Sequence, residues 1–132
     1  ELQCGSYVFL DRDYAQNDRT GEIPLGQSLF VQTAVIGTPT PDRAICDAGL
    51  KALSFDSGPP AIAGRPDLAY YGPNDEHGRI DTSRAGTAVS VGDALRLVPG
   101  HCDPTVAMHD WIVGIRGGIV ETLWPVDGRG PR

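Results

Sequence analysis

Cysteine is scarce in this sequence, lysine and methionine are scarcer, and no long hydrophobic run occurs at all. The three cysteines, Cys4, Cys46 and Cys102, are an odd number in dissimilar contexts. That argues against a disulfide framework and for a reducing compartment, so the expected location is cytoplasmic. No apolar stretch approaches the ~18 residues needed to span a bilayer, and the first residues carry neither a basic region nor an apolar signal core. No membrane partner is expected. Lys and Arg total 11 against 17 Asp and Glu, a net charge of −6. The basic residues are scattered, which leaves no phosphate-tracking patch and no expectation of nucleic acid as a partner. Lys51 is the only lysine. Between Leu50 and Ala52, it reads as an ion-pair partner or a snorkelling surface residue and not as a Schiff base. There is no Gly-x-Gly-x-x-Gly, no Walker loop and no Gly-x-Ser-x-Gly. No sustained 3.6-residue period and no fixed-spacing repeat appears.

What is present is turns. The 132 residues include 17 Gly and 11 Pro, with 21% charged, the composition of a turn-dense globular domain of short strands. Ser6 to Leu10 is aromatic and β-branched enough for a strand, and residues 15 to 27 read as a loop. Leu29 to Ile36 and Arg43 to Asp47 read as two strands across a Pro-rich turn at Gly37 to Asp42. Asp47 to Leu53 is compatible with the start of another element. Prolines and glycines from Asp56 to Glu76 forbid any long regular segment, so that stretch is a long, shaped loop. Thr87 to Val91, Gly92-Asp93 and Ala94 to Val98 read as strand, turn, strand. The clearest signal is Trp111 to Arg116, Gly117-Gly118 and Ile119 to Trp124, a β-hairpin, because both central turn positions need φ > 0. The coarse fold is all-β, a small antiparallel barrel or sandwich of about eight short strands with long loops.

The chemistry concentrates in Pro99-Gly100-His101-Cys102-Asp103-Pro104-Thr105-Val106, read as a strand end passing into a rigid loop. In extended chain, His101 and Asp103 share one side and stand about 6.6 Å apart along the strand, while Cys102 points away. Imidazole with carboxylate suits Mn, Mg, Co or Zn. On spacing alone, such a pair is more often a surface hydrogen-bonding pair. Asp75-Glu76-His77-Gly78 reads either as a solvated acidic turn or as a second contribution to a site. His109 is a candidate to orient a metal ligand from behind.

Five motifs in one order carry a resemblance that runs nearly end to end. They are residues 1 to 11 (Glu1-Leu2-Gln3-Cys4-Gly5-Ser6-Tyr7-Val8-Phe9-Leu10-Asp11), 42 to 54, Asp75-Glu76-His77-Gly78, 99 to 106, and Leu123-Trp124-Pro125-Val126. Together they resemble the C-terminal domain of the D-threonine aldolase and D-serine dehydratase family, fold-type III pyridoxal phosphate (PLP) enzymes similar to bacterial alanine racemase. The resemblance implies an alanine-racemase-like C-terminal β-domain, with the N-terminal TIM-like barrel and its cofactor lysine lying outside these 132 residues. The absence of an initial Met fits a piece of something longer.

The resemblance further implies that His101 and Asp103 hold a divalent metal and that Tyr7 lies against PLP. It gives Glu76, His77 and His109 no assured role. The second metal ligand is Asp in aldolase-like members and Cys in the dehydratases, so Asp103 favours an aldolase that cleaves D-3-hydroxy amino acids to glycine and an aldehyde. D-serine or 3-hydroxy-D-aspartate dehydration is the alternative, and a non-catalytic metal-binding β-module is the rival of another class. The isolated chain is expected to be inactive, and the full protein to be a homodimer.

Overall fold

Short strands bounded by Gly, Pro and Asp leave little room for anything but a tightly curled antiparallel sheet. The computed structural model of the chain describes residues 1, 5–17 and 25–130. Six strands, β1 (Val31–Thr40), β2 (Arg43–Cys46), β3 (Ala61–Ile62), β4 (Ala69–Tyr71), β5 (Gly78–Asp81) and β6 (Ala94–Val98), form one sheet in the order β3-β6-β1-β2-β5-β4. Every neighbouring pair is antiparallel. The edge strands β3 and β4 approach one another, so the sheet nearly closes as a barrel. Inside it pack Val35, Ala44, Cys46, Leu53, Ile62, Tyr70, Ile80, Leu95 and Leu97. The alternation that places Thr33 and Val35 of β1 and Leu95 and Leu97 of β6 inward is the period-two signal of a half-buried strand. The all-β expectation therefore holds. No helix among the described residues is long and apolar enough to cross a membrane.

Close packing inside this barrel depends on one missing side chain. Gly78 opens β5 directly beneath the Tyr70 ring, and a Cβ there would stand 2.2 Å from Cε2. Tyr70 cannot move away easily, because its hydroxyl donates to the Ala48 carbonyl (2.7 Å) in the buried interior.

Several local expectations are corrected. The strand expected over Ser6 to Leu10 is a 3-10 turn, Ser6–Val8. The N–H groups of Phe9 and Leu10 both donate to the Ser6 carbonyl, so they are withdrawn from any ladder. β1 does not stop before Gly37 but continues to Thr40 through two register shifts, and the turn shrinks to Pro41-Asp42. Thr87 to Val91 is not a strand. Its apolar alternation loses to local side-chain bonds: Arg65 holds the Thr87 carbonyl, Asp67 takes the Gly86 N–H, and the Asp93 carboxylate takes the Ser90 N–H. Asp47 to Leu53 forms bends and turns. The long 56–76 loop contains only the very short β3 and β4. Cys4, the Leu2-Gln3 segment and residues 18–24 of the expected loop lie outside the described residues.

The expected hairpin is present as β7 (Trp111–Arg116) and β8 (Ile119–Pro125), with Gly117 at φ +57° and Gly118 at +81°. One of its faces is apolar throughout, built from the cross-strand pairs Trp111 with Pro125, Val113 with Leu123 and Ile115 with Val120. Every one of these side chains is exposed.

Two short helices, α1 (Arg12–Ala15) and α2 (Cys102–Val106), share a single cap. The Asp11 carboxylate is 1% exposed, and its two oxygens divide the work. Oδ1 accepts from the Tyr14 N–H of α1 (3.0 Å), and Oδ2 accepts from the Cys102 N–H that opens α2 (3.0 Å). Arg12 and Asp13 N–H groups donate to the Pro99 and Gly100 carbonyls, completing the seam between the N-terminal segment and the 99–106 loop.

Two stability outcomes are expected from this geometry. Asp11→Ala leaves the buried Cys102 N–H and the partly buried Tyr14 N–H without their cap and should destabilise the domain by about 2 kcal/mol in urea titration. Gly78→Ala should lose about 2 kcal/mol or more by displacing Tyr70, and a Gly78→Ala/Tyr70→Leu double variant should recover part of that loss in the same titration.

Candidate functional site

The loop carrying His101 takes its shape from the helix on its C-terminal side. Extended backbone is the sequence-based expectation through Asp103, but only His101 is extended (φ −140°, ψ 128°), and α2 begins at Cys102. Pro104 sits in the first helical turn, where its fixed φ fits and its missing N–H loses nothing. The Thr105 hydroxyl donates back to the His101 carbonyl (2.8 Å), and Asp11 caps the Cys102 N–H. This turn of helix carries Asp103 round towards the imidazole, leaving His101 Nε2 and Asp103 Oδ2 3.9 Å apart. Two ligands each about 2.1 Å from one ion stand about 3.0 Å apart at right angles and about 4.2 Å apart in line, so one divalent cation is within reach of both groups.

Electrostatics reinforce that reading. His101 Nδ1 faces the Asp56 carboxylate at 2.6 Å. With a carboxylate acceptor there, Nδ1 carries a proton, and in the neutral imidazole the Nε2 lone pair then lies on the side of Asp103. The hydrogen bond with Asp56 is the main cause that raises the His101 pKa, with burial opposing it. Asp56 is held below the usual carboxylate range, first by the Ser54 hydroxyl and then by His101. The Asp103 side chain is 72% exposed, which leaves the space in front of the pair open to water or substrate.

Cys102, between the two, takes no part. It is fully buried on the opposite side, and burial pushes its thiol up to about 12, with Asp11 and Asp103 adding to the effect. Buried and held in the thiol form, it is badly placed to act as a nucleophile.

Gly100 explains why Asp56 can reach the site. A Cβ on Gly100 would stand 2.5 Å from the Gly58 carbonyl oxygen, so the 56–58 and 99–101 backbones touch only because no side chain intervenes. Nothing in the sequence singles out Asp56. It lies 45 positions before His101 in a loop marked only by its prolines and glycines, and no spacing rule links the two.

The remaining candidate residues have other surroundings. Tyr7 is half exposed on the 3-10 turn, in the segment that Asp11, Arg12 and Asp13 fasten to the 99–106 loop. Glu76 forms an ion pair with Lys51, which accounts for the lone lysine. The His77 N–H donates to the Asn74 side chain at 2.7 Å, within the same tight turn. His109 Nε2 donates to the Ala52 carbonyl at 2.8 Å. The structure thus brings His101 and Asp103 together, adds Asp56, gives the Glu76 and His109 side chains other partners, and ties His77 into the 74–77 turn through its backbone N–H. No group of three or more His, Cys, Asp or Glu poised around one ion exists among the described residues. His101 and Asp103 are thus an open pair of candidate ligands.

With this geometry in place, the comparisons with known proteins are specific. Residues 28–115 match the family described as "Putative serine dehydratase domain". A D-threonine aldolase of Arthrobacter sp is 48% identical over 130 residues, covering 98% of this chain and 34% of that protein. A 3-hydroxy-D-aspartate aldolase of Paracoccus denitrificans is 49% identical over 135 residues, with the same coverage. The crystal structure of D-threonine aldolase from Filomicrobium marinum superposes with a TM-score of 0.89 at 38% identity, over 95% of this chain and 35% of that one. The chain spans about a third of the length of the relatives it matches. From family match, identity and fold together, this chain belongs to the D-threonine aldolase and D-serine dehydratase family.

Proposed function

We propose that these residues are the C-terminal metal-binding β-domain of a PLP-dependent lyase of the D-threonine aldolase type, acting on D-3-hydroxy amino acids to give glycine and an aldehyde. The observation that carries the reading is the His101–Asp103 pair, 3.9 Å apart and open to solvent, with the far side of the imidazole committed to Asp56. When bound, PLP supplies an electron sink for charge developing at the substrate Cα, and a divalent ion (Mn, Mg, Co or Zn) acidifies the β-hydroxyl. His101 Nε2 and Asp103 Oδ2 are the groups that would hold the ion. The exposure of Asp103 leaves room for the substrate hydroxyl beside them. Tyr7, half exposed on the fastened segment, is the residue assigned to lie against the cofactor.

Aldol cleavage is favoured over dehydration because position 103 is a carboxylate, and because the Arthrobacter and Paracoccus relatives both carry aldolase names. Dehydration of D-serine or 3-hydroxy-D-aspartate is the second reading, supported by the description of the matched family. A metal-dependent hydrolase using His101, Asp103 and Glu76 is less well supported, because Glu76 is paired with Lys51.

The cofactor lysine belongs to the proposed N-terminal barrel, since Lys51 is engaged by Glu76 on the surface. The apolar hairpin face supports assembly with that barrel and with a second subunit in a homodimer. Cys46 and Cys102 are free and buried, in keeping with a cytoplasmic enzyme.

In the full-length protein, stripped by chelator and restored with Mn²⁺, His101→Ala and Asp103→Ala should each lower glycine release from D-threonine by about a hundredfold or more, the scale of a lost electrostatic stabiliser. Keto acid and ammonia in place of glycine would establish the dehydratase. Indifference to both ion and substitution would return the pair to a surface role. The isolated 132-residue chain, supplied with PLP and Mn²⁺, should show no turnover of D-threonine.

A further inference from the structure

The site residue that no sequence motif marks has the most structured surroundings. Asp56 Oδ2 accepts from His101 Nδ1 at 2.6 Å, while its Oδ1 accepts from the Ser54 hydroxyl at 2.6 Å. Ser54 is itself fixed, its N–H donating to the Thr105 hydroxyl oxygen at 3.1 Å, and that hydroxyl donates to the His101 carbonyl at 2.8 Å. The circuit is closed: it leaves His101 through the imidazole and returns to His101 through the main chain.

Such a circuit does more than tether two loops. His101 follows a glycine and precedes a single turn of helix, so nothing in its own backbone fixes the ring. Without a partner, either imidazole nitrogen can carry the proton and the ring can turn about its Cβ–Cγ bond. Carboxylates placed behind a ligating histidine select the tautomer, hold the ring plane and increase the basicity of the ligating nitrogen.

We propose that Asp56 is the positioning residue of the metal centre, setting the tautomer and orientation of His101 so that Nε2 faces the cation shared with Asp103. This rests on the reading of His101 and Asp103 as metal ligands. Asp56 touches neither the ion nor the substrate, so its removal should weaken metal binding while the metal-loaded enzyme still turns over.

The test uses the full-length, metal-stripped protein at about pH 8, where protonation of imidazole competes little, with free Mn²⁺ followed by electron paramagnetic resonance. Asp56→Ala should raise the Mn²⁺ dissociation constant about 10- to 100-fold, and Asp56→Asn, which keeps an acceptor but not the charge, should raise it less. The melting temperature of the metal-free protein should stay at the wild-type value, and kcat at saturating Mn²⁺ should be largely retained. An Asp56→Ala affinity within twofold of wild type, in a preparation where His101→Ala loses Mn²⁺, overturns the positioning role and leaves the metal centre standing. If His101→Ala also binds normally, the metal centre itself is wrong. A fall in metal-free melting temperature that accompanies the affinity loss and is matched by Ser54→Ala reduces Asp56 to a loop tether. Should Asp56→Ala fail to fold, the nearly isosteric Asp56→Asn decides on the same readout, and wild-type affinity there overturns the proposal.

Discussion

A single buried carboxylate determines how the functional end of this domain is built. Asp11 caps α1 from within its own segment and α2 from 91 positions away, one oxygen to each. Burying a carboxylate is costly unless its lone pairs are met by fixed donors, and here backbone N–H groups at two helix starts meet them. The chain accepts local strain to achieve this. Leu10, immediately before Asp11, adopts φ +54°, a region that side chains other than glycine seldom enter. Its side chain is buried, which holds the unusual backbone in place. The segment carrying Tyr7 and the loop carrying His101 and Asp103 are consequently parts of one unit.

That unit is joined to the barrel by a second set of contacts in which the absence of side chains matters as much as their presence. Gly100 lets the Gly58 carbonyl come close, and this approach brings Asp56 behind His101. Gly78 does the equivalent for Tyr70 deeper in the core. The proline- and glycine-rich stretch from Asp56 to Glu76 is therefore a fitted part of the structure, with its front end in the site and its short strands β3 and β4 in the sheet.

How much of this could be read from the residues depends on how far each determinant lies along the chain. The β7–β8 hairpin was legible because its cause, Gly117-Gly118, sits inside it. His101 and Asp103 were legible as a pair of metal-ligand types, but their backbone was not. A five-residue helix shows no periodicity, and its cap comes from Asp11 at the opposite end of the sequence. Thr87 to Val91 has the composition of a strand and is denied that form by Arg65, Asp67 and Asp93, which seize its backbone groups and those beside it. Ser6 to Leu10 fails as a strand for a related reason, its N–H groups being turned back on Ser6. Asp56 was invisible because a hydrogen bond between two loops leaves no trace in local spacing.

The burial of Cys102 bears on the chemical durability of the site. Thiols are oxidised as thiolates, through sulfenic acid and onward to forms that cannot be reversed. A thiol between two candidate ligands would ordinarily be the weak point of a metal-dependent enzyme exposed to peroxide. Here α2 turns that sulfur into the interior, out of contact with solvent and far from ionising, and presents a carboxylate in its place. The candidate pair therefore consists of two groups that mild oxidants leave alone, and the thiol between them in the sequence is shielded by the same turn of helix that brings them together.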